Sequence, residues 1–129
     1  MARYIPDVKT QRWVSLAAER SKRPGDATAV PDKPKSGCPF CAGSEGMTPP
    51  ETYRIGDGPA NGPLWRVRVV PNLYAITDTH EVIIHSPDHN KDIELLPVEQ
   101  VSSILTVYRD RYRTHVNDGH VIIFCNHGA

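Results

Sequence analysis

The residues of this sequence with the clearest capacity for chemistry are the two thiols of the segment Cys38-Pro39-Phe40-Cys41. This spacing lets both thiols reach one metal ion from a single tight turn, and thiolates are soft ligands that suit tetrahedral zinc. The pair supplies only two of four ligands, and the 6 histidines of the chain are the obvious source of the others. The alternatives are a redox pair or two buried, reduced thiols. The surrounding Pro/Gly-rich turn favours zinc.

A second group with chemical potential is the short basic run that contains Arg20 and Arg23. It is either a solvated turn or a phosphate clamp, because guanidinium groups match phosphate oxygens in pairs. Two residues outside this run are further candidates. Asn72 is either a plain turn residue or one that reads a base or ribose edge. His89 stands in a turn, where it is either a metal ligand on a loop or simply an exposed histidine.

Composition limits the class of protein. The 129 residues suffice for one domain, 1–129, with a modest core. Because 15 basic residues balance 15 acidic ones, the chain is not expected to bind nucleic acid or membrane surfaces. The 3 cysteines are too few for a disulfide framework, and the sequence contains neither a long apolar stretch nor a signal peptide. We therefore expect a cytoplasmic, soluble protein with reduced thiols.

The elements that must position these residues are short strands and one helix. Apolar runs predict strands at 13–16, 64–70, 80–85 and 120–125, and glycine-rich or proline-rich stretches at 25–37 and 52–62 predict loops. In the second strand, alternation places Trp65, Val67 and Val69 on one face.

Apolar residues at three- and four-residue steps predict one helix from Pro97 to about Asn117. Its predicted apolar stripe consists of Val98, Val101, Ile104, Leu105, Tyr108 and Tyr112. Its arginines, Arg109, Arg111 and Arg113, are predicted to form a solvated face, and Cys125 is predicted to lie in the core. This order of elements predicts an α+β domain with a mainly antiparallel sheet and one long helix on one face.

Seven short motifs occur in an order that resembles the N-terminal part of galactose-1-phosphate uridylyltransferase, a branch of the histidine-triad-like superfamily. They are Arg-Ser-Lys-Arg-Pro, Cys-Pro-Phe-Cys with a following Gly-x-Glu, Thr-Pro-Pro-Glu, Val-Pro-Asn, His-Glu-Val-Ile-Ile, Ser-Pro-Asp-His and Phe-x-Asn-x-Gly. The ordered set is more specific than any single motif. The resemblance implies an incomplete half-barrel and, in galactose metabolism, uridylyl transfer from UDP-glucose to galactose 1-phosphate through a uridylyl-histidine.

The resemblance also implies roles for individual residues. Cys38, Cys41 and His89 match three ligands of the family's structural zinc site. The fourth ligand here would be water, a residue of another chain or a nearby histidine such as His85. Leu73 stands where many relatives carry an acidic residue, so the choice between uracil and adenine stays open. The implied nucleotide contacts are Arg20, Arg23, Met47, Asn72 and Asn126.

The family's His-x-His segment, which carries the nucleophile and a zinc ligand, has no counterpart in these 129 residues. No residue is therefore assigned as catalytic, and the chain is expected to be inactive alone. It would need a second polypeptide or a C-terminal half, within a homodimer in the intact enzyme, and an unpaired sheet edge is expected where that half continues. The alternatives are an adenylyltransferase or phosphorylase of the same superfamily, and a non-catalytic zinc-stabilised module that binds nucleotide or protein.

Overall fold

The computed structural model describes residues 2–23 and 37–127. Its elements in chain order are the strands β1 (Arg3–Pro6), β2 (Trp13–Leu16), β3 (Tyr53–Gly56), β4 (Trp65–Pro71) and β5 (Glu81–Ile84) and the helix α1 (Val98–His115). Single 3-10 turns at Ala18–Lys22, Glu45–Met47 and Ile93–Leu95 lie between them. The predicted α+β class, with antiparallel sheets and one long helix, is confirmed. The predicted loop 25–37 lies outside the described residues except for Gly37.

The strands form two antiparallel sheets, one of β1 with β2 and one in the order β3-β4-β5. The sequence predicted β2, β4 and β5 but neither of the others. β1 is exposed along its whole length, so it has no alternation between buried and exposed residues to reveal it. β3 lies inside the glycine-rich stretch 52–62 that was predicted to be a loop.

The predicted strand at 120–125 is absent from the structure. The apolar side chains of Ile122 and Phe124 are exposed, and no described strand pairs with this segment. Strand propensity alone does not make a strand, because the stabilisation comes from cross-strand pairs. Cys125, predicted to lie in the core, is also exposed for this reason.

Strand β4 is buried on both faces, although its alternating apolar and basic residues predicted a half-buried strand. On one face Val67 and Val69 pack against Ile104 and Val107 of α1. On the other face Arg68 is only 1% exposed. The central strand is therefore covered by the helix on one side and by the segment that precedes β3 on the other.

The charge of Arg68 is satisfied by the motif Thr48-Pro49-Pro50-Glu51. Its Nε donates to Glu51 Oε2 at 2.8 Å, and its Nη1 donates to Thr48 Oγ1 at 2.8 Å. Its Nη2 donates to Asn61 Oδ1 at 3.2 Å. A buried ion pair is stable only when the remaining polar atoms also find partners, and Thr48 of this motif together with Asn61 supplies them. The motif thus has a structural role beside β4.

A β-bulge at the start of β4 reverses the predicted orientation of Trp65. The pairing shifts by one residue between Ile55 and Gly56, so β4 contains one extra residue at this point. Trp65 consequently joins the cluster of Val70 and Ile84 instead of the helix-facing side chains. The prediction that Trp65 shares a face with its alternate neighbours is therefore wrong.

Helix α1 begins and ends within two residues of the predicted bounds, but a different stripe is buried. Ile104 and Val107 are buried, and Tyr108 packs beside them. Gln100 Nε2 fixes the N-terminal end by donating to the carbonyl oxygens of Arg66 and His85, at 2.7 Å each. The members of the predicted stripe that are exposed are Val98, Leu105 and Tyr112.

The prediction of a solvated arginine face is wrong for Arg111. Its Nε donates to Glu81 Oε2 at 2.9 Å and its Nη2 donates to Glu81 Oε1 at 2.7 Å, and each side chain is only 14% exposed. This two-point ion pair joins α1 to β5. Among the helices of the described ranges, none has the length and apolar character needed to cross a lipid bilayer.

Candidate functional site

Two turns that are distant in sequence bring Cys38, Cys41 and His89 together. Their candidate ligand atoms all lie within 4.8 Å of one another, and Cys41 Sγ is 3.1 Å from His89 Nδ1. The first turn is closed by the Cys41 N–H, which donates to the Cys38 carbonyl oxygen at 3.4 Å. The second turn is shaped by the Asp88 N–H, which donates to Ser86 Oγ at 3.0 Å.

This set of two sulfurs and one nitrogen fits a zinc ion. With Zn–S near ~2.3 Å and Zn–N near ~2.0 Å, tetrahedral geometry places such atoms roughly 3.5–3.8 Å apart, and small side-chain rotations would bring these three to that spacing. Burial raises the pKa of the Cys41 thiol, and the adjacent Cys38 raises it further. A bound cation is therefore what would hold the Cys41 sulfur as a thiolate. The assignment of zinc to these ligands stays a prediction.

His85 is not the fourth ligand that the sequence suggested. Its Nε2 is hydrogen-bonded to the Tyr108 hydroxyl, and burial lowers its pKa. Within the described residues the group therefore offers three protein ligands. The fourth position would fall to water or to a residue of another chain.

Glu45 connects the cysteine turn to strand β4. Its carboxylate accepts hydrogen bonds from the Gly43 N–H at 3.0 Å and from Trp65 Nε1 at 2.8 Å. Burial by itself raises the pKa of Glu45, but these hydrogen bonds outweigh burial and the pKa is lowered. Sequence reasoning assigned Glu45 no role. The Gly-x-Glu that follows the cysteine pair was the signal that marked it.

The first hairpin and the loop at residues 72–80 are joined by hydrogen bonds. Ser15 Oγ donates to the Ile76 carbonyl oxygen, and the Ala2 N–H donates to Asp78 Oδ1 at 2.9 Å. Arg20 Nη1 donates to the Tyr74 carbonyl oxygen at 3.0 Å. The hairpin β1-β2 and its following turn therefore place the basic run beside the 72–80 loop.

Three of the predicted nucleotide-contacting residues, Arg20, Arg23 and Asn72, are brought together around this loop. Asn72 Oδ1 accepts a hydrogen bond from the Tyr74 N–H at 2.8 Å, and Asn72 Nδ2 lies 3.3 Å from His80 Nε2. Burial and then the guanidinium charges of Arg20 and Arg23 lower the pKa of His80. The loop therefore combines positive charge with a neutral imidazole and an amide. His80 was not among the predicted site residues.

The other two predicted nucleotide contacts lie apart from this group in the hydrogen-bond network. Met47 is exposed in the turn Glu45–Met47, and Asn126 is exposed in the segment that follows α1. Among the described residues, no hydrogen bond links either side chain to Arg20 or Asn72. Their roles stay predictions.

Nearly the whole chain aligns with known enzymes. No protein-family model matches. ADP-glucose phosphorylase from Arabidopsis thaliana is 30% identical over an alignment that covers 95% of the chain. Galactose-1-phosphate uridylyltransferase from Thermotoga maritima is 26% identical over 98% of it.

Two solved structures are also similar to the chain. The crystal structure of an ADP-glucose phosphorylase from Arabidopsis thaliana with bound ADP-glucose covers 91% of the chain, with a TM-score of 0.55 and 29% identity. An X-ray structure of a GalT-like protein from the same plant covers 89%, with a TM-score of 0.55 and 28% identity.

The predicted resemblance to the galactose-1-phosphate uridylyltransferase family is therefore confirmed, and the matched relatives are enzymes. The chain spans about two fifths of the length of these relatives, namely 42% and 40% of the curated proteins and 39% and 36% of the solved chains. What the matched proteins do as whole molecules is not thereby assigned to this chain.

Proposed function

We propose that this chain is the nucleotide-facing, zinc-stabilised part of an enzyme that cleaves a sugar nucleotide by nucleotidyl transfer or phosphorolysis. The observation that carries the proposal is the grouping of Arg20, Asn72 and His80 around the 72–80 loop, in a fold similar to that of a relative solved with ADP-glucose. Guanidinium and amide groups suit the phosphate and sugar oxygens of such a ligand.

ADP-glucose is the first substrate to test. The ADP-glucose phosphorylase is the relative with the higher identity, 30% against 26% for the uridylyltransferase. The second candidate is uridylyl transfer from UDP-glucose to galactose 1-phosphate, which the ordered motifs support. Leu73, in place of an acidic residue, leaves the base open.

Zinc on Cys38, Cys41 and His89 would have a structural role in this proposal, because it would fasten the cysteine turn to the turn at 86–90. The chain's own residues would bind and orient the nucleotide. The 129 residues contain no His-x-His pair. We therefore propose that a nucleophilic histidine comes from a second polypeptide or a further part of the protein, within a homodimer.

The test combines binding with turnover. Calorimetry with ADP-glucose, UDP-glucose and glucose 1-phosphate should give binding of a sugar nucleotide and weak or no binding of the sugar phosphate alone. Phosphate-dependent release of glucose 1-phosphate should require addition of a polypeptide that carries the remaining part of a relative. If neither sugar nucleotide binds the zinc-loaded chain, the proposal is wrong. Rapid turnover by the chain alone would contradict the assignment of the nucleophile.

The alternative is a non-catalytic module stabilised by zinc, a class that the abundance of structural contacts around Glu45 and Arg68 favours. Such a module would bind nucleotide or protein with no chemistry under any combination of polypeptides. Activity that appears when the second polypeptide is added would support the enzyme. No activity when both polypeptides are folded and the chain holds zinc would support the non-catalytic module.

A further inference from the structure

The segment that carries Cys38 and Cys41 is anchored in the protein by a carboxylate and not by apolar packing. Between residues 37 and 47, all of which the structure describes, Glu45 is the only residue that is buried as a whole. The large apolar side chains of this segment, Phe40 and Met47, are exposed. Apolar burial therefore contributes little to holding the two thiols in place.

The carboxylate of Glu45 joins the loop after Cys41 to strand β4. Both of its oxygens accept from the Gly43 N–H, at 3.0 Å each, and Oε1 also accepts from Trp65 Nε1 at 2.8 Å. Burial by itself raises the pKa of Glu45, but the hydrogen bonds from Trp65 and Gly43 outweigh burial, so the carboxylate is ionised at neutral pH. Hydrogen bonds to an ionised acceptor are roughly twice as strong as those between neutral groups.

The backbone on both sides of Glu45 is fixed as well. Gly43 has φ +93°, a conformation that favours glycine. The Ser44 N–H donates to the Cys41 carbonyl oxygen at 3.0 Å, and Thr48 Oγ1 donates to the Glu45 carbonyl oxygen at 3.0 Å. The position of the Glu45 carboxylate therefore determines the path of the chain that leaves Cys41.

We propose that Glu45 is a positioning residue for the metal site, which holds the cysteine turn in its metal-binding conformation whether or not an ion is bound. The inference rests on the zinc-stabilised part of the proposed function, but it involves no nucleotide. Groups that orient metal ligands typically contribute ~10–100-fold to metal affinity. Glu45 would do so through the backbone of the turn, with no contact to a ligand side chain.

Titration of the zinc-free chain with metal tests this role. Cobalt(II) reports thiolate coordination by its absorption bands, and competition with a coloured chelator measures the affinity for zinc. Glu45→Ala should weaken binding of both ions by about 10–100-fold, although all three ligands remain. At saturation its cobalt spectrum should match that of the wild type. Glu45→Gln keeps an acceptor for the Trp65 indole and should restore much of the affinity.

Two control variants separate positioning from other effects. Glu99→Ala removes a carboxylate at an exposed position of α1 and should bind both ions as the wild type does. Ile104→Ala removes buried packing between α1 and β4, so it should lower the melting temperature and leave the metal affinity of the folded chain unchanged. If Ile104→Ala weakens metal binding as much as Glu45→Ala does, Glu45 acts only through general stability and the proposal is wrong.

Hydrogen exchange in the wild type tests the same role without any substitution. In the metal-free chain the Gly43 N–H and the Trp65 indole N–H should exchange more slowly than in an unstructured peptide, because both donate to the buried carboxylate. Exchange of both hydrogens at the rates of an unstructured peptide would overturn the proposal. This measurement decides the question if Glu45→Ala fails to fold.

The failure of this inference can be distinguished from the failure of the proposed function. Equal metal affinity in the wild type and in a folded Glu45→Ala variant would reject the role of Glu45 and leave zinc and sugar-nucleotide binding standing. A wild type that binds neither ion through its thiols would reject this inference together with the assignment of zinc. If Glu45→Ala loses metal affinity but the zinc-loaded wild type binds no sugar nucleotide, the function is rejected and the inference is kept.

Discussion

Cys41 and His89 meet across a separation of 48 residues in the chain, with their ligand atoms 3.1 Å apart. A metal ion bound there would act as a cross-link that closes a long loop, and closing a long loop removes much conformational freedom from the unfolded chain. The ion would also neutralise the two thiolates at a place where burial raises the pKa of Cys41. Folding of the chain and binding of the metal ion are therefore expected to be coupled.

The variant Cys41→Ser should lose its zinc and melt at a lower temperature than the wild type. Loss of a thiolate removes a direct ligand, so metal affinity should fall by more than the ~10–100-fold that an outer-shell partner contributes. Cys125→Ser is the matched control, because Cys125 is exposed and lies outside the group of three ligands. Metal analysis and thermal melts with and without chelator measure both effects. Full zinc content in Cys41→Ser would contradict the ligand assignment.

The grouping of Cys38, Cys41 and His89 was predictable, because the spacing of the two cysteines marked the pair and the family resemblance added the histidine. The partners of Arg111 and His85 were not predictable in this way. Arg111 meets Glu81 across 30 residues and His85 meets Tyr108 across 23, so the fold decides each contact. His80 was overlooked because its contacts with Asn72 and with the Ile76 N–H are made only in the folded 72–80 loop.

Between elements, the sheet β3-β4-β5 and α1 are joined by apolar packing and by the ion pair of Glu81 with Arg111. Burial by itself raises the pKa of Glu81. The hydrogen bond and charge of Arg111, helped by Thr52 and His115, outweigh burial, and the pKa is lowered below its ordinary value of 4.5. The unfolded chain therefore binds this proton at a higher pH than the folded protein does.

The ion pair of Glu81 with Arg111 should make the free energy of unfolding depend on pH. Its contribution is fully present above the ordinary carboxyl pKa and is lost as the pH falls through the lowered value of the folded state. Urea unfolding between about pH 6 and pH 2 should show this loss in the wild type. Glu81→Gln should be less stable at pH 7 and should show a flatter slope. Arg111→Met, which removes the charge responsible, should flatten the same region. Wild-type slopes in both variants would refute this account.

The bulge in β4 predicts a second effect at this scale. Gly56 has φ +138°, and a Cβ at this position would lie 2.7 Å from backbone atoms of Leu64, Trp65 and Arg66. Gly56→Ala should therefore lower the free energy of unfolding by about 1–3 kcal/mol or more, as expected for a strained backbone. Gly46→Ala is the control, because nothing lies within 4 Å of a Cβ there. Equal stability of the two variants in urea would show that the bulge is not constrained.

Sequence patterns predicted the central strand and the helix, because apolar residues that recur every two residues, or every three to four, can be recognised without knowing which elements pack against them. They missed β3, whose short run Tyr53–Gly56 becomes a strand only because β4 lies beside it. They also assigned Trp65 to the wrong face, because a single extra residue in the pairing inverts the alternation. Pairing partners and bulges belong to the tertiary structure, and apolar periodicity does not encode them.

Across the described part of the chain, only a few apolar side chains are buried in the core, and many large apolar side chains are exposed. Leu105 and Tyr112 lie on the outer side of α1, and Ile122 and Phe124 extend from the unpaired segment after it. The chain spans about two fifths of the length of its relatives, 42% and 40%. In the isolated chain such surface favours association with further copies.

Two neighbouring residues of α1 test this view. Leu105 is 56% exposed, so Leu105→Glu should reduce concentration-dependent self-association and leave the melting temperature nearly unchanged. Ile104 is 0% exposed, so Ile104→Ala should lower the free energy of unfolding by about 2–5 kcal/mol. Sedimentation velocity over a range of concentrations, with thermal melts, measures both. A wild type that stays monomeric at high concentration would contradict the prediction for Leu105.

The contact between Trp65 and Glu45 has a practical consequence for spectroscopy. Of the two indoles, Trp65 is 3% exposed and bound to the carboxylate that also holds the Gly43 N–H, whereas Trp13 is 72% exposed. The buried indole should fluoresce at shorter wavelength and the exposed one as in water. Loosening of the cysteine turn would move only the first component to the red, so the emission of Trp65 would report on any metal bound by Cys38, Cys41 and His89.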